Sequence, residues 1–376
     1  MFFLALSHLC KGQDSDRHKY SMQLNGYVKS LQTWNAPGDI SRLNNTSIIH
    51  NRLNMQLKVS DHFYSAISFR NRLICGDDVR QIPHYKQVLR NRQELLNLSA
   101  TWIDHPDLIL HSNTERLWAE YRRPKWNIRV GRQRINWSMS NTWNPGDLFN
   151  VYNFLDVDYE ERPGTDAIKF LYQTGDLSAL EIAFAPAKHK NQDIKAIRYT
   201  FNQWETDFQF ILGSYKKRIS LGGGWAGHLK ETGWKGEIQY YLKKGPDKDQ
   251  LNITIEMDHM LKNGWYFNSG ILYNSNGISG NIFSADSLRF EFTPLQLMPT
   301  KLNTILSASK EINPIISVTS SFLYSPNSNL LIVLPGIKAN LGNNFDADFI
   351  WQSFFAGTEI FKAIRHSGFI RIRWSY

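Results

Sequence analysis

Over most of its length the chain alternates apolar and polar residues one by one, the period of an extended strand whose two faces meet different surroundings. Leu53, Met55, Leu57 and Val59 alternate with Arg52, Asn54, Gln56 and Lys58. Trp234, Gly236, Ile238, Tyr240 and Leu242 alternate with Lys235, Glu237, Gln239, Tyr241 and Lys243, and Leu251, Ile253, Ile255 and Met257 with Asn252, Thr254, Glu256 and Asp258. Read this way, strands fall at 18–33, 46–59, 62–74, 109–123, 126–136, 165–175, 178–186, 192–202, 205–214, 219–229, 233–243, 250–260, 264–276, 301–311, 314–325, 329–341, 344–356 and 364–376. That makes about eighteen, with sixteen as the alternative, each near the length that crosses a tilted bilayer path.

The connections alternate too. Every second one is tight: Ser60-Asp61, Pro124-Lys125, Gly175-Asp176, Asn202-Gln203, Lys230-Glu231-Thr232, Lys262-Asn263-Gly264, Asn313-Pro314 and Gly342-Asn343. These carry the residues that hairpin turns demand. The intervening connections are longer, with three long ones at about 75–108, 137–164 and 277–300. Short turns at one end and long loops at the other predict an all-β fold. It is a transmembrane antiparallel β-barrel with short periplasmic turns and long extracellular loops. Tyr20, Phe63, Trp126, Trp204, Trp234, Trp265, Phe345 and Trp374 gather beside the short turns, as a headgroup-level girdle would.

Composition sharpens this. Only 42% of residues are hydrophobic while 13% are aromatic, which suits a wet lumen with aromatic rims better than a soluble core. No apolar run of about 18 residues occurs, so helical spans are excluded. The formal net charge is +9, but Lys and Arg are scattered through alternating segments, which argues against nucleic acid. Met1 to Leu9 is a short apolar segment followed by Cys10-Lys11-Gly12-Gln13, so residues 1–13 read as a secretory signal peptide and 14–376 as one barrel domain. Lipidation at Cys10 is the minor alternative. Cys75 would then be alone, so no disulfide framework is expected.

At the C-terminal end, Gly368, Ile370, Ile372, Trp374 and Tyr376 share one face and Phe369, Arg371, Arg373 and Ser375 the other. This resembles the terminal strand of a Gram-negative outer-membrane barrel, which implies that Trp374 and Tyr376 act as the insertion signal read by the barrel-assembly machinery. Three further stretches resemble porin-like barrels of that membrane: 126–137 with Val130-Gly131-Arg132-Gln133, 143–150 with Asn144-Pro145-Gly146-Asp147, and 158–164 with Arg162-Pro163-Gly164. The resemblance covers about a tenth of the chain and implies a porin-like group without naming a solute.

Alternation sends Arg52, Lys58, Arg70, Arg72, Arg116, Arg122, Arg129, Lys169, Arg198, Lys235, Arg371 and Arg373 to the lumen, against fewer acids: Glu120, Glu237, Glu256, Asp258, Asp346 and Asp348. Arg132 and Arg134 fall on the lipid register unless a bulge at Gly131 turns them inward. A wall of one sign raises the local concentration of anions. The alternative is that these residues pair with acids and only satisfy a polar interior. The loop at 137–164 is the candidate constriction, with Asp147, Asp156, Asp158, Glu160, Glu161 and Arg162 as its charged residues, and an external lid or a protein-contact surface is the alternative. A short helix is expected at 84–98, as a lid or a plug.

No catalytic, cofactor or metal site is expected. His111-Ser112-Asn113 is similar in residue types to the catalytic set of outer-membrane phospholipases, but neighbours on a strand point to opposite faces. Gly222-Gly223-Gly224 lies within a strand pattern and reads as a bend or close-packing site. The expected function is passive diffusion of small hydrophilic, anionic solutes across the outer membrane. The alternative is a non-conducting barrel that serves as a subunit of a larger assembly. Expected partners are outer-membrane lipid, the barrel-assembly machinery and the solutes, with a homo-oligomer or assembly partner left open.

Overall fold

The computed structural model describes residues 20–41, 43–89, 95–158, 163–242, 245, 248–282, 288, 292–357 and 360–376. The signal peptide expected at 1–13, and Glu160, Glu161 and Arg162, lie outside the described residues. The strands are β1 (Ser21–Ala36), β2 (Asn44–Lys58), β3 (Phe63–Gly76), β4 (Ser99–His105), β5 (Leu108–Arg122), β6 (Trp126–Gln133), β7 (Thr165–Gly175), β8 (Ser178–Ala185), β9 (Ile194–Gln203) and β10 (Thr206–Tyr215). They continue with β11 (Arg218–Leu229), β12 (Thr232–Tyr241), β13 (Gln250–Met260), β14 (Trp265–Asn274), β15 (Leu302–Glu311), β16 (Ile316–Ser325), β17 (Leu330–Gly342), β18 (Phe345–Ala356) and β19 (Lys362–Ser375).

Every pairing between these strands is antiparallel, and β1 closes the cylinder against β19 from Tyr27↔Ser375 to Ala36↔His366. Eighteen strands make the closed barrel and β4 is one extra. It arises within the connection expected at 75–108, where the described part of the helix expected at 84–98 holds the single turn Tyr85–Val88, with a second short helix at Asp77–Gln81. The reason lies in β6. It pairs with β5 only from Leu117↔Arg132 to Arg122↔Asn127, then leaves the wall. The outer part of that edge of β5 would be bare, and β4 covers it from Ser99↔Asn113 to His105↔Leu108.

The outward face carries the apolar belt: Ile182, Ile197, Phe210, Leu212, Ile255, Ile271, Phe322, Ile337, Ile370 and Ile372 are all exposed. A closed barrel with such a belt leaves no strand edge in lipid. Outward polar groups need partners there, and Asn51, Asn71, Ser112 and Trp102 supply one another in a hydrogen-bonded line across β2, β3, β5 and β4. Strands β1, β2, β3 and β5 run 14 to 16 residues, more than a bilayer crossing requires, so this side of the rim stands higher.

The short-turn rim carries ring contacts, with Phe345 and Trp374 centroids 6.3 Å apart, Trp374 and Tyr376 5.3 Å, and Tyr121 and Trp126 5.8 Å. Several turns sit one or two residues from where they are expected, since Gly175 pairs with Ser178, Thr232 with Leu229 and Gly342 with Phe345. Asn202 and Gln203 continue the ladder of β9, and the reversal occurs at Trp204-Glu205, both with positive φ. Trp204 therefore stands at the tip, 84% exposed.

At the closing seam Tyr376 lies across β1. Its backbone exchanges two 3.0 Å hydrogen bonds with Gly26, and its hydroxyl donates to the Arg52 carbonyl at 3.2 Å. A Cβ on Gly26 would fall 2.2 Å from that carbonyl and 2.7 Å from the Tyr376 hydroxyl. Gly26→Val should therefore strain the seam by about 1–3 kcal/mol, the usual cost of overpacking. The midpoint of heat-induced mobility change on a gel should fall, and an unchanged midpoint would contradict the seam packing.

Candidate functional site

The loop between β6 and β7 turns into the barrel. The turn inward begins at Gly131, where φ is +118° and a Cβ would lie 2.2 Å from the Leu117 carbonyl, so only glycine fits. Beyond it Arg132 departs from the lipid register expected of it. It is buried at 2% exposure, with Nε 2.8 Å from the Asp166 carboxylate and Nη1 donating to the Thr114 carbonyl at 2.9 Å. A guanidinium directed at lipid would be costly, and Asp166 supplies the compensating charge. Asp166 also accepts from the N–H groups of Leu95 and Leu96, which fastens the lead-in to β4. Arg134 remains exposed. Asn150 ties the two ends of the loop: its Oδ1 accepts from Ile135 N at 2.7 Å and its Nδ2 donates to Thr165 Oγ1 at 2.9 Å.

From there the loop crosses the lumen to β12 and β13. The Glu237 carboxylate accepts from the N–H groups of Met139, Ser140 and Gly146 at 2.6, 2.7 and 2.8 Å. The Glu256 carboxylate accepts from Asn141, Thr142 and Trp143 at 2.9, 3.0 and 3.2 Å. Two wall carboxylates thus hold six backbone donors of one loop, and charge-assisted bonds of this kind are about twice as strong as neutral ones. Gly224 makes room for it, since a Cβ there would lie 3.1 Å from Met139 Sδ. Trp137, Leu148 and Phe149 are fully buried against inward residues of β7 to β12, and Trp143 packs with Leu272, Leu323 and Ile332. The inward reading of the loop thus describes its geometry.

The returning limb reaches the basic side. Asp158 receives Lys29 Nζ at 3.1 Å and Arg70 Nη2 at 2.6 Å, with His50 Nδ1 3.6 Å away. Lys29 also donates to the Asp158 carbonyl at 3.0 Å and Arg371 to the Val157 carbonyl at 3.2 Å. Burial alone would raise the Asp158 carboxyl, but Arg70, His50 and Lys29 together hold it well below the ordinary carboxylate range. Its anchoring contribution is therefore complete above the unfolded carboxylate value, about 3.9, and is lost only as pH falls through the depressed value.

The other charged loop residues sit differently. Asp147 is fully buried and its Oδ1 accepts from Asn150 N at 3.4 Å, so it caps the loop's own turn instead of facing water. Asp156 accepts from Asp158 N at 3.0 Å.

The basic residues divide by access to water. Arg52, Arg70, Arg72 and Arg116 are buried; Arg70 meets Asp158 of the inturned loop, Arg72 donates to the Leu89 carbonyl at 2.9 Å, Arg52 to Asn54 Oδ1 at 3.0 Å and Arg116 to the Glu115 carbonyl at 2.7 Å. Arg122, Arg129, Lys169, Arg198, Arg371 and Arg373 keep side-chain exposures of 16 to 49%. These six face carboxylates, but unequally. Glu120 is shared by Arg122 and Arg129, Glu181 by Lys169 and Arg198, and Asp346 by Arg373 and Lys338. Arg371 pairs with Asp348 at 2.8 Å. Among the described contacts Glu120, Glu181 and Asp346 thus each face two cations. The closing seam makes these residues neighbours, because Lys29 lies opposite both Arg373 and His50, and Arg52 opposite Arg70.

Lys29 and His50 were not among the residues expected to matter, and Arg132 was expected inward only through a bulge at Gly131. Lys29 and His50 alternate correctly in their strands and were legible by register; nothing local marks Arg132 except the glycine before it. His111 and Ser112 lie on opposite faces, His111 buried beside Thr101 and Ser112 bonded to Asn71, so they form no nucleophile–base pair.

No family model and no curated relative matches the chain. Solved structures do. The outer membrane protein OpdK of Pseudomonas aeruginosa superposes with a TM-score of 0.63 at 6% identity, covering 95% of this chain and 98% of that one. OpdK with vanillate gives 0.60 at 7% identity, covering 94% and 98%. OccAB4 of Acinetobacter baumannii gives 0.58 at 8%, covering 94% and 98%. At such identities the likeness concerns architecture. Together with the closed barrel, the apolar outer belt and the parity of turns and loops, it shows that the chain has the closed porin-like β-barrel fold of these outer-membrane proteins.

Proposed function

We propose that the barrel is a channel for passive diffusion of small hydrophilic solutes across the outer membrane, with a preference for anions. The observation that carries this reading is the sharing of Glu120, Glu181 and Asp346 between two cations each, on side chains that retain contact with water. A surplus of positive charge along a low-dielectric wall attracts anions and repels cations. OpdK, whose fold is similar, has been solved with vanillate, an organic anion, which is compatible with this reading. The pore-lining set is then Arg122, Arg129, Lys169, Arg198, Arg371 and Arg373, with Arg52, Arg70, Arg72 and Arg116 acting from buried positions. Asp156 and Asp158 belong to the constriction.

Trp374 and Tyr376 serve as the insertion signal for the assembly machinery in this reading, and the outward belt contacts lipid. A second reading, a non-conducting barrel within a larger assembly, draws on the apolar filling inside the wall: Leu272, Leu323, Leu330 and Ile332 are all fully buried. The test is planar-bilayer recording of the purified barrel in a salt gradient. Discrete conductance with a reversal potential on the anion side supports the channel; silence, even after deletion of 138–158, supports the assembly subunit.

A further inference from the structure

We propose that Asp158 is a tethered ligand occupying a carboxylate-binding site built by Lys29, His50 and Arg70, and that a permeating carboxylate takes the site over by displacing it. This rests on the channel reading and deepens it.

The site is built from three adjacent strands. Lys29 and His50 lie opposite each other in the β1–β2 register, and Arg70 enters from β3. Lys29, His50 and Arg70 are 0%, 1% and 2% exposed. His50 orients the set: its Nε2 accepts from Arg70 Nε at 3.0 Å, which leaves the Nδ1 hydrogen directed at Asp158. Two cations and one N–H thus converge on a single carboxylate. That is a recognition site for an organic acid, and the acid in it is the protein's own.

Asp158 differs from the wall acids in one respect. Glu120, Glu181, Asp346 and Asp348 are fixed within strands, whereas Asp158 comes from the limb of a loop and keeps 20% side-chain exposure. It is the loop carboxylate reaching this wall among the described residues. An intramolecular acid competes with a solute at an effective concentration set by its tether, so removing it should raise apparent affinity for free carboxylates. The neighbouring Arg371 holds the Val157 carbonyl and would keep the limb nearby after exchange. Exchange of one carboxylate for another also keeps an anion beside the buried charges of Lys29 and Arg70.

The experiment is calorimetric titration of the detergent-solubilised full barrel with sodium acetate, compared with bilayer recording in acetate. Asp158→Asn keeps the shape and removes the charge, and should tighten acetate binding by about tenfold or more. Asp158→Glu should stay near the wild type, because it restores the tethered acid. The double variant Asp158→Asn with Arg70→Gln should lose the gain. Heat-modifiable gel mobility verifies that each variant forms a barrel, and Asp158→Ala substitutes for Asp158→Asn if the amide prevents folding. Unchanged or weaker acetate binding in the folded neutral variants would overturn the proposal and leave Asp158 as an anchor. A binding gain in a barrel that passes no current would uphold the site while removing the channel reading, so the two failures are distinct.

Discussion

Replacing Glu237 and Glu256 together by Ala should free the lumenal loop from the far wall. The six N–H groups of Met139 to Trp143 and Gly146 would lose their acceptors at once. Leaving one buried donor unsatisfied costs about 1–3 kcal/mol, so the wall-held arrangement should lose well over 3 kcal/mol relative to the released one. Cleavage between Trp137 and Asp158 by an added protease should accelerate on the order of a hundredfold, since each 1.4 kcal/mol is tenfold in population. Channel conductance should rise with it. The Gln variants should show a smaller effect because an amide oxygen still accepts. The strand ladder is untouched, so heat modifiability of the barrel should persist. Protease resistance equal to wild type in the double Ala variant would mean that packing of Trp137, Trp143 and Phe149 holds the loop and the carboxylates do not.

Arg371→Glu with Arg373→Glu should reverse the sign of the channel's ion preference. Both arginines are inward and partly wet, and their partners Asp348 and Asp346 would remain. The substitution therefore removes two cations and places two further carboxylates beside two existing ones. The reversal potential in a salt gradient should move to the cation side. The effect should be largest in dilute salt, because the screening length is about 10 Å at 0.1 M and about 30 Å at 0.01 M. The matching Gln pair should shift it the same way by less, which separates charge from pore width. An unaltered preference in the charge-reversed barrel would make this part of the wall purely structural.

The residues that made the fold legible were those with a two-residue period and a turn at every second connection. All eighteen wall strands follow that pattern, with boundary shifts such as the move of one turn to Trp204-Glu205. The strand β4 was missed because Ser99 to His105 is not placed by alternation. It exists to cover an edge that β6 abandons, and that departure is a tertiary event at Gly131. The same glycine explains Arg132, which pure alternation assigns to lipid. The Val130-Gly131-Arg132-Gln133 and Asn144-Pro145-Gly146-Asp147 runs, which carry the resemblance, each have a specific physical role. The first turns the chain off the wall; the second presents Gly146 to Glu237, while the Asp147 side chain stays inside the loop. Gly222-Gly223-Gly224, read as close packing, is where the wall recedes for Gln239, Glu237 and Met139. What alternation could not supply was depth. It separates inward from outward, but Arg52, Arg70, Arg72 and Arg116 share a face with Arg129 and Arg371 while only the latter reach water, because cover such as that of Asp158 over Arg70 comes from segments distant in sequence.

A barrel that passes anions needs a water-filled path lined by surplus positive charge. The most direct measurement is the reversal potential of the purified wild-type barrel in a planar bilayer under a tenfold KCl gradient, repeated at several absolute concentrations. The account predicts discrete conductance with chloride favoured over potassium, and a preference that shrinks as salt rises through the range where screening falls below about 10 Å. A barrel that conducts with potassium favoured, or that conducts nothing with its loop intact or with 138–158 removed, would contradict it.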